Sequence, residues 1–440
     1  MTEPGIGNNQ PHPARSSEIP RLGRVRWTIC AMLFVATSIN YMDRQVISLL
    51  KPTLQQSIGL TEIDYGYIVA AFQLAYAIGL IAAGRLVDKL GARRGYPLFM
   101  SVWSLATIAH ALARSALGFG VARFFLGLGE AGNFPAAIKT VAHWFPQRER
   151  SLATGILNSG TSIGAILAPA IVPWITIQFG WRAAFIATGL LGLPWIAWWL
   201  KKYHHPWEHP ALSAAELHHI RGTDEAQQSA KTEIPWLQLL TCRQTWAFAI
   251  AKFLTDPIWW FYLFWLPSFF HSRFNLDLSH LGLPLIIVYN LSMLGSIGGG
   301  WLPAMFRFSA DPARARLTAM FICACLVLPI FRAGHVQSEW TAVALLSLAV
   351  AAHQGWSANL FTIPSDMFPP STVGAVVGIG GMAGSIGAVL FSIFVGKILE
   401  VTHSYVTLFG ISASAYLVAI AVIHILAPGL KKASFALRES

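Results

Sequence analysis

Asp43 and Arg44 stand side by side in "NYMDRQ", residues 40–45, between the apolar runs Trp27–Ile39 and Val46–Leu50. Arg123 and Glu130 lie seven residues apart in another apolar segment, "ARFFLGLGEAGNFPA". An ionisable side chain in hydrocarbon costs from about 3 to more than 10 kcal/mol, so it persists by pairing, by lining water or by working. Neighbours in a helix point about 100° apart, so Asp43 and Arg44 do not face each other, and each needs a partner on another helix. Asn40, Asp43 and Arg44 share a broad face, and Tyr41 is one turn from Arg44. Arg123 and Glu130 are two turns apart on one face. Gly127 and Gly129 thin the helix between them, Asn133 continues the polar side, and Pro135 favours a kink. The four charges sum to zero. An anion arriving at Arg44 leaves the site net negative, and Asp43 and Glu130 are the acids whose protonation offsets it. Burial and a neighbouring cation act in opposite directions on a carboxyl group, so movement of Arg44 or Arg123 switches an acid between states. The chemistry suited to this set is the joint passage of a proton and an anion. Which arginine takes the anion stays open.

Uncharged polar residues surround these charges in the sequence. Gln73 and Tyr76 are three apart, as are Asn158 and Thr161. Their amides and hydroxyls suit a polyhydroxylated ligand or, equally, helix–helix hydrogen bonds. "DPIWWFYLFWLP", 256–267, offers Trp259, Trp260 and Tyr262 as a stacking wall or an interfacial belt, with Asp256 before Pro257 read as a helix-end feature.

These residues need elements to hold them. The chain has 440 residues, 55% hydrophobic and 12% charged, with mean hydropathy +0.53. Soluble domains carry about 25% charged residues, so the expected fold is an all-α polytopic membrane protein. Candidate spans are 27–50, 65–87, 96–113, 117–142, 152–177, 183–200, 246–270, 281–305, 317–333, 341–365, 373–399 and 405–427. The net charge of +11 sits in short loops, which points to membrane topology and away from a nucleic-acid partner. The basic loops fall on the side of both termini, which are expected in the cytoplasm. The expected organisation is a tail at 1–26, a six-helix half at 27–202, a linker at 203–240, a second half at 241–428 and a tail at 429–440. The linker histidines His204, His205, His209, His218 and His219 fit no metal-ligand spacing, and the linker reads as solvated and amphipathic. The four cysteines read as packing residues.

The halves repeat each other. "FPQRERSLATGILNSGTSIGA" from Phe145 and "FPPSTVGAVVGIGGMAGSIGA" from Phe368 align without a gap. An internal repeat with a site between its copies is a mark of secondary transporters. Carried back, this register sets His353 where Glu130 stands, with Gln354, Ser357 and Asn359 beside it. His353, Gln354 and Asn359 are candidate ligand contacts, and His353 is also a group able to titrate.

"GRLVDKLGARRG", 84–95, closes the second span. Gly84 permits close helix approach, Asp88 is placed to meet Arg93, Arg94 or a helix N-terminus, and Gly91 allows a tight turn. This segment resembles the gate loop of the major facilitator superfamily. "NYMDRQ", "ARFFLGLGEAGNFPA" and "WFPQRERSLATGILNSGTSIGA" resemble the anion:cation symporter branch, and bacterial hexuronate transporters in particular. The resemblance implies twelve helices in two six-helix halves, and Gly84, Asp88, Gly91, Arg93 and Arg94 as a gate. It also implies Asp43 and Glu130 as proton carriers, Arg44 on the substrate carboxylate, and Arg123 as the charge partner of Asp43. The function so implied is proton-coupled import of an organic anion, a hexuronate or related sugar acid, across a bacterial inner membrane. An organophosphate or other anion exchanger is the alternative, and Asp43 and Glu130 count against it. The proton is the coupling ion, with no cofactor and no metal. The expected partners are a small organic anion and the lipid bilayer, and the protein is expected to be monomeric. No nucleophile–base pair or phosphate loop suggests an enzyme.

Overall fold

The computed structural model describes residues 24–221, 236–306 and 312–433. The expected tail before Arg24, the linker centre at 222–235, and the end beyond 433 lie outside the described residues. In chain order the first half comprises α1 (Val25–Ile58), α2 (Glu62–Ala109), α3 (Ala116–Glu130), α4 (Asn133–Trp144), α5 (Gln147–Phe179), α6 (Trp181–Leu190) and α7 (Gly192–Lys202). Two short helices follow, α8 (Ala214–Arg221) and α9 (Trp236–Leu239). The second half comprises α10 (Arg243–Phe274), α11 (Gly282–Met305), α12 (Pro312–Val327), α13 (Glu339–Leu360), α14 (Ile363–Met367), α15 (Pro370–Thr402) and α16 (Val406–Leu426).

Local chemistry sets the joints. Gly59 ends α1 in the left-handed region, φ 76°, with its N–H on the Gln55 carbonyl. Thr61 and Asp64 form a capping box that starts α2. Gly91, φ 70° and ψ 161°, folds α2 into two spans, a conformation open to glycine alone. Pro135 and Pro364 lack the N–H that would bond the carbonyls of Ala131 and Leu360, and the helix breaks at those points. α3 and α4 are thus one interrupted span, as are α13 and α14.

Seven helical stretches among the described residues are long and apolar enough to cross a membrane, the two-span stretch Glu62–Leu112 included. The spans outside that set are α1, α3–α4, α10 and α13–α14. They carry Asp43, Arg44, Arg123, Glu130, Lys252, Asp256 and His353. Every third span is therefore polar, and the apolar ones hold it in the bilayer.

The repeat is visible in the backbone. α5 and α15 are each 33 residues long. Each follows a Phe-Pro pair in extended conformation, Phe145-Pro146 and Phe368-Pro369. The halves touch from mid-bundle to the end away from the termini. There Tyr65 donates to the Phe264 carbonyl at 2.9 Å, and Glu400 of α15 accepts from the Glu62 N–H at 2.9 Å. A Cβ on Gly66 would lie 3.2 Å from Gly396 Cα. Nearer the termini, Cβ atoms added at Gly84, Gly155, Gly374 or Gly378 would meet nothing within 4 Å.

The described part of the linker is docked rather than free in solvent. Tyr203 is buried and stacks on Trp199 at 4.2 Å. Glu216 of α8 is buried against Arg26 at 3.0 Å, and Arg26 also holds Glu149 at 2.9 Å. His219 reaches Glu149 at 2.8 Å. The opposite charge of Arg26, brought in from α1, offsets the burial of the linker acid, a pairing that the linker's own sequence does not show.

Helix spacing gives a first test. A Cβ on Gly127 would lie 2.4 Å from the Phe72 carbonyl oxygen, whereas one on Gly84 meets nothing. Gly127→Ala should cost roughly 1–3 kcal/mol as overpacking and lower the unfolding temperature in detergent, while Gly84→Ala leaves it in place. Equal shifts for the two would contradict this packing.

Candidate functional site

α3 is wedged between the two limbs of α2. Gly127 faces Phe72 and Tyr76 of the first limb, and Gly129 lies against Trp103 of the second, where a Cβ would sit 2.6 Å from the Trp103 nitrogen. This close approach carries Glu130, the last residue before the helix break, to α1. There its carboxylate takes the Nε–H of Arg44, with both side chains sealed from solvent. Arg123 Nη2 donates to the Arg44 carbonyl at 2.9 Å. The four charged residues Asp43, Arg44, Arg123 and Glu130 are each at most 1% exposed.

Rings surround the Arg44 guanidinium. Its carbon lies 4.5 Å from the Tyr41 centroid, 4.8 Å from Tyr76, and 5.4 Å from both Phe72 and Trp260. Trp260 comes from the second half, so the cage is built across the interface. Arg123 lies 5.2 Å from Phe72 and 5.6 Å from Phe264. Such cation–π contacts contribute about 0.5–2 kcal/mol each. The cluster has more polar atoms than partners. Both Asp43 oxygens, Arg44 Nη2, Arg123 Nε and Nη1, Glu130 Oε1, Gln73 Nε2 and both Asn40 amide atoms are buried without a hydrogen bond. Buried polar groups are nearly always satisfied, so these atoms suit bonding to water or to a polar ligand.

The structure corrects the expected pairing. Arg44, read as free for an anion, is held by Glu130. Arg123, expected as the charge partner of Asp43, stands near it but gives its hydrogen bond to the Arg44 carbonyl. The Thr107 and Thr188 hydroxyls and Arg123 stand around Asp43, outside hydrogen-bond geometry. The reason is reach: the break after Glu130 turns its carboxyl toward α1, which spacing within α3 does not reveal.

Tyr41 and Tyr76 stand at this cluster, and Gln73 is buried on the first limb of α2. Asn158 is exposed on α5, and the Thr161 hydroxyl donates to the Asn158 carbonyl at 2.8 Å. His353 lies apart, in the second half. Its Nδ1 is 2.7 Å from the Tyr416 hydroxyl, and its ring stacks on Trp259 at 5.4 Å. It matches Glu130 by count but not by setting, because α13 runs on unbroken to Leu360. Gln354 is half-buried beside it. Asn359 is a strut: both amide hydrogens go to backbone, Gly299 at 2.7 Å and Gly355 at 2.9 Å. In the gate segment, Asp88 pairs with Lys139 of α4 at 2.7 Å instead of Arg93 or Arg94. Arg93 meets His204 at 3.4 Å, Arg94 is exposed, Gly84 is open and Gly91 makes the turn. The reason is again the neighbour: α4 returns Lys139 beside the end of the first limb of α2, where it also bonds the Val87 carbonyl.

Further charge pairs were not foreseen. Lys252 and Asp256 of α10 form a 2.7 Å pair, and Asp256 is mid-helix, not at a helix end. The i,i+4 spacing of opposite charges in "AKFLTDPIWW" was the available signal. At the end away from the termini, buried Lys51 binds Glu62 at 2.6 Å, close to the cross-half contact with Glu400. An apolar groove of about 540 Å³, lined by Leu105, Leu112, Val121 and Phe125 among others, lies on the outer surface and contains none of these charges.

Comparison with known proteins settles the family. The sequence profile of the Major Facilitator Superfamily matches residues 33–392. The chain belongs to this superfamily. Among its relatives is the hexuronate transporter of Escherichia coli strain K12, 33% identical over 393 residues, 88% of this chain and 91% of that protein. Another is the galacturonate transporter of Dickeya chrysanthemi, 34% identical over 330 residues, 74% of this chain and 95% of that protein. The D-xylose-proton symporter structure shares the fold, with TM-score 0.73 at 15% identity, covering 93% of this chain and 99% of that one. The protein is therefore an all-helical membrane transporter of the superfamily, not an enzyme, with twelve spans in two halves.

Removing one partner of a buried ion pair strands the other charge, at about 3–5 kcal/mol. Glu130→Gln should accordingly lower the unfolding temperature, and adding Arg44→Gln to it should restore part of the loss. Additive losses in the double variant would show that the two residues do not act as a pair.

Proposed function

We propose that the protein is a proton-coupled symporter that imports a monocarboxylate sugar acid by alternating access, with glucuronate or galacturonate first and aldonates next. It works as a monomer in a bacterial inner membrane, with both termini cytoplasmic. The observation that carries this reading is the caged Arg44–Glu130 pair with unpartnered Asp43 beside it. The substrate carboxylate and Glu130 compete for one guanidinium. When the substrate takes Arg44, Glu130 is left buried and uncompensated, and a proton neutralises it. Anion and proton therefore bind together. Asp43, near Arg123, is the second acid able to carry the proton across. Arg44 offers a planar fork suited to one carboxylate, and Tyr41, Tyr76 and Trp260 around it suit the faces of a hydroxylated ligand. The named cargoes of the two bacterial relatives support the same class. The contacts between halves away from the termini are those of a state closed on the outside and open to the cytoplasm.

The test is uptake of radiolabelled glucuronate and galacturonate by proteoliposomes with an inward proton gradient. The purified protein should accumulate them, and uptake should fall as external pH rises, because the proton is a co-substrate. Arg44→Lys should lose substrate-induced thermal stabilisation, about tenfold or more in affinity, since a point charge replaces the fork. Binding of phosphorylated sugars or inorganic phosphate alone would favour an exchanger and defeat the proposal.

A further inference from the structure

The second half holds a charge pair that the proposed proton chemistry does not use. Lys252 and Asp256 sit one turn apart inside α10, with Nζ and Oδ2 2.7 Å apart. Their exposures differ: 4% for the lysine side chain and 22% for the aspartate. The ammonium is sealed under the Phe361 ring, 3.9 Å from its centroid. The carboxylate is partly open. On the α15 side it is walled closely, since a Cβ on Gly384 would lie 2.3 Å from Oδ2. Trp259 and Trp260 follow on α10 three and four residues later, on the same face as Asp256. Trp260 is the ring that reaches across the interface to Arg44. Trp259 is held by its stack on His353, which Tyr416 anchors in turn. Asp256 therefore stands one helical turn, about 5.4 Å along the axis, from the wall of the Arg44 cage.

A structural ion pair would have no need of this asymmetry. A buried pair is often no more stabilising than well-packed apolar residues of the same size, and an open carboxylate forgoes part of the benefit. An aspartate has lone pairs enough to accept from two neighbouring hydroxyls while it stays bonded to lysine. Because the pair is neutral, it adds no charge that would repel an anionic ligand. The indole faces beside it offer apolar surface for the C–H side of a sugar.

We propose that Asp256, braced by Lys252, forms with Trp259 and Trp260 the hydroxyl-recognising subsite of the second half, one that selects polyhydroxylated acids over simple carboxylates. The proposal rests on the sugar-acid reading above. A substrate with its carboxylate on Arg44 extends its hydroxyls along the indoles to Asp256. Asp256 and the tryptophans determine specificity, and Lys252 and His353 are positioning residues.

The experiment measures affinity by thermal shift for galacturonate, a 4-deoxy analogue and the short monocarboxylate propionate. The proteins are the wild type, Asp256→Asn, the neutral double variant Lys252→Met with Asp256→Asn, and Arg44→Lys. The double variant leaves no stranded lysine, and its unfolding temperature without ligand reports folding. The wild type should prefer galacturonate over the deoxy analogue by about tenfold or more, since a site built to bond a hydroxyl rejects the analogue lacking it. Both Asp256 variants should bring that preference to within about threefold and raise the Kd for galacturonate toward that for propionate. Arg44→Lys should weaken all three ligands together. A folded double variant that keeps the tenfold preference overturns the subsite and leaves the sugar-acid reading standing. Failure of the wild type to bind galacturonate at all overturns both.

Discussion

A guanidinium and a carboxylate sealed in hydrocarbon are tolerated as a pair, and any event that parts them must supply a replacement charge at once. Arg44 and Glu130 are placed under that constraint: neither is more than 1% exposed. A substrate carboxylate can replace Glu130 at Arg44, and a proton can replace Arg44 at Glu130. Each alone leaves an uncompensated charge, whereas both together leave none. Coupling in this reading needs no mechanical relay between distant sites. It follows from the cost of a lone buried charge.

The rest of the bundle serves this arrangement. Apolar spans secure the protein in the bilayer and leave α1, α3–α4, α10 and α13–α14 free to carry polar groups. Glycines at 127 and 129 let α3 lie against the two limbs of α2, and the break ahead of Pro135 releases Glu130 from the regular helix. The two halves divide the labour. The first holds the four buried charges that the proposed coupling uses, and the second supplies Trp260 to the cage and the braced Asp256. The Arg44 cage has walls from both halves, so the alternating access proposed above would open and rebuild it.

Much of this was legible in the sequence, for physical reasons. Charges inside apolar runs are costly enough to announce themselves, which singled out Asp43, Arg44, Arg123 and Glu130. The repeat from Phe145 and Phe368 was legible because equivalent helices of equal length preserve register. What was not legible depends on partners brought in from elsewhere in the chain. Spacing places Arg123 and Glu130 on one face, but only the break at Ala131 shows that Glu130 turns to Arg44. Asp88 has basic neighbours in sequence yet finds Lys139, fifty-one residues on. Asn359 looked like a ligand contact because it is polar, whereas the backbones of α11 and α13 take its hydrogens. Lys252 and Asp256 could have been found, since their i,i+4 spacing in an apolar run is the same kind of signal as the first four.

The most direct measurement of the central claim is proton movement driven by substrate alone. Proteoliposomes are held with equal pH on both sides and no membrane potential, and galacturonate is added outside in weak buffer. The account predicts alkalinisation of the external medium in step with uptake, abolished by Glu130→Gln even where that variant still exchanges labelled for unlabelled substrate. Substrate entry with no change in external pH, or alkalinisation that persists in Glu130→Gln, would contradict it.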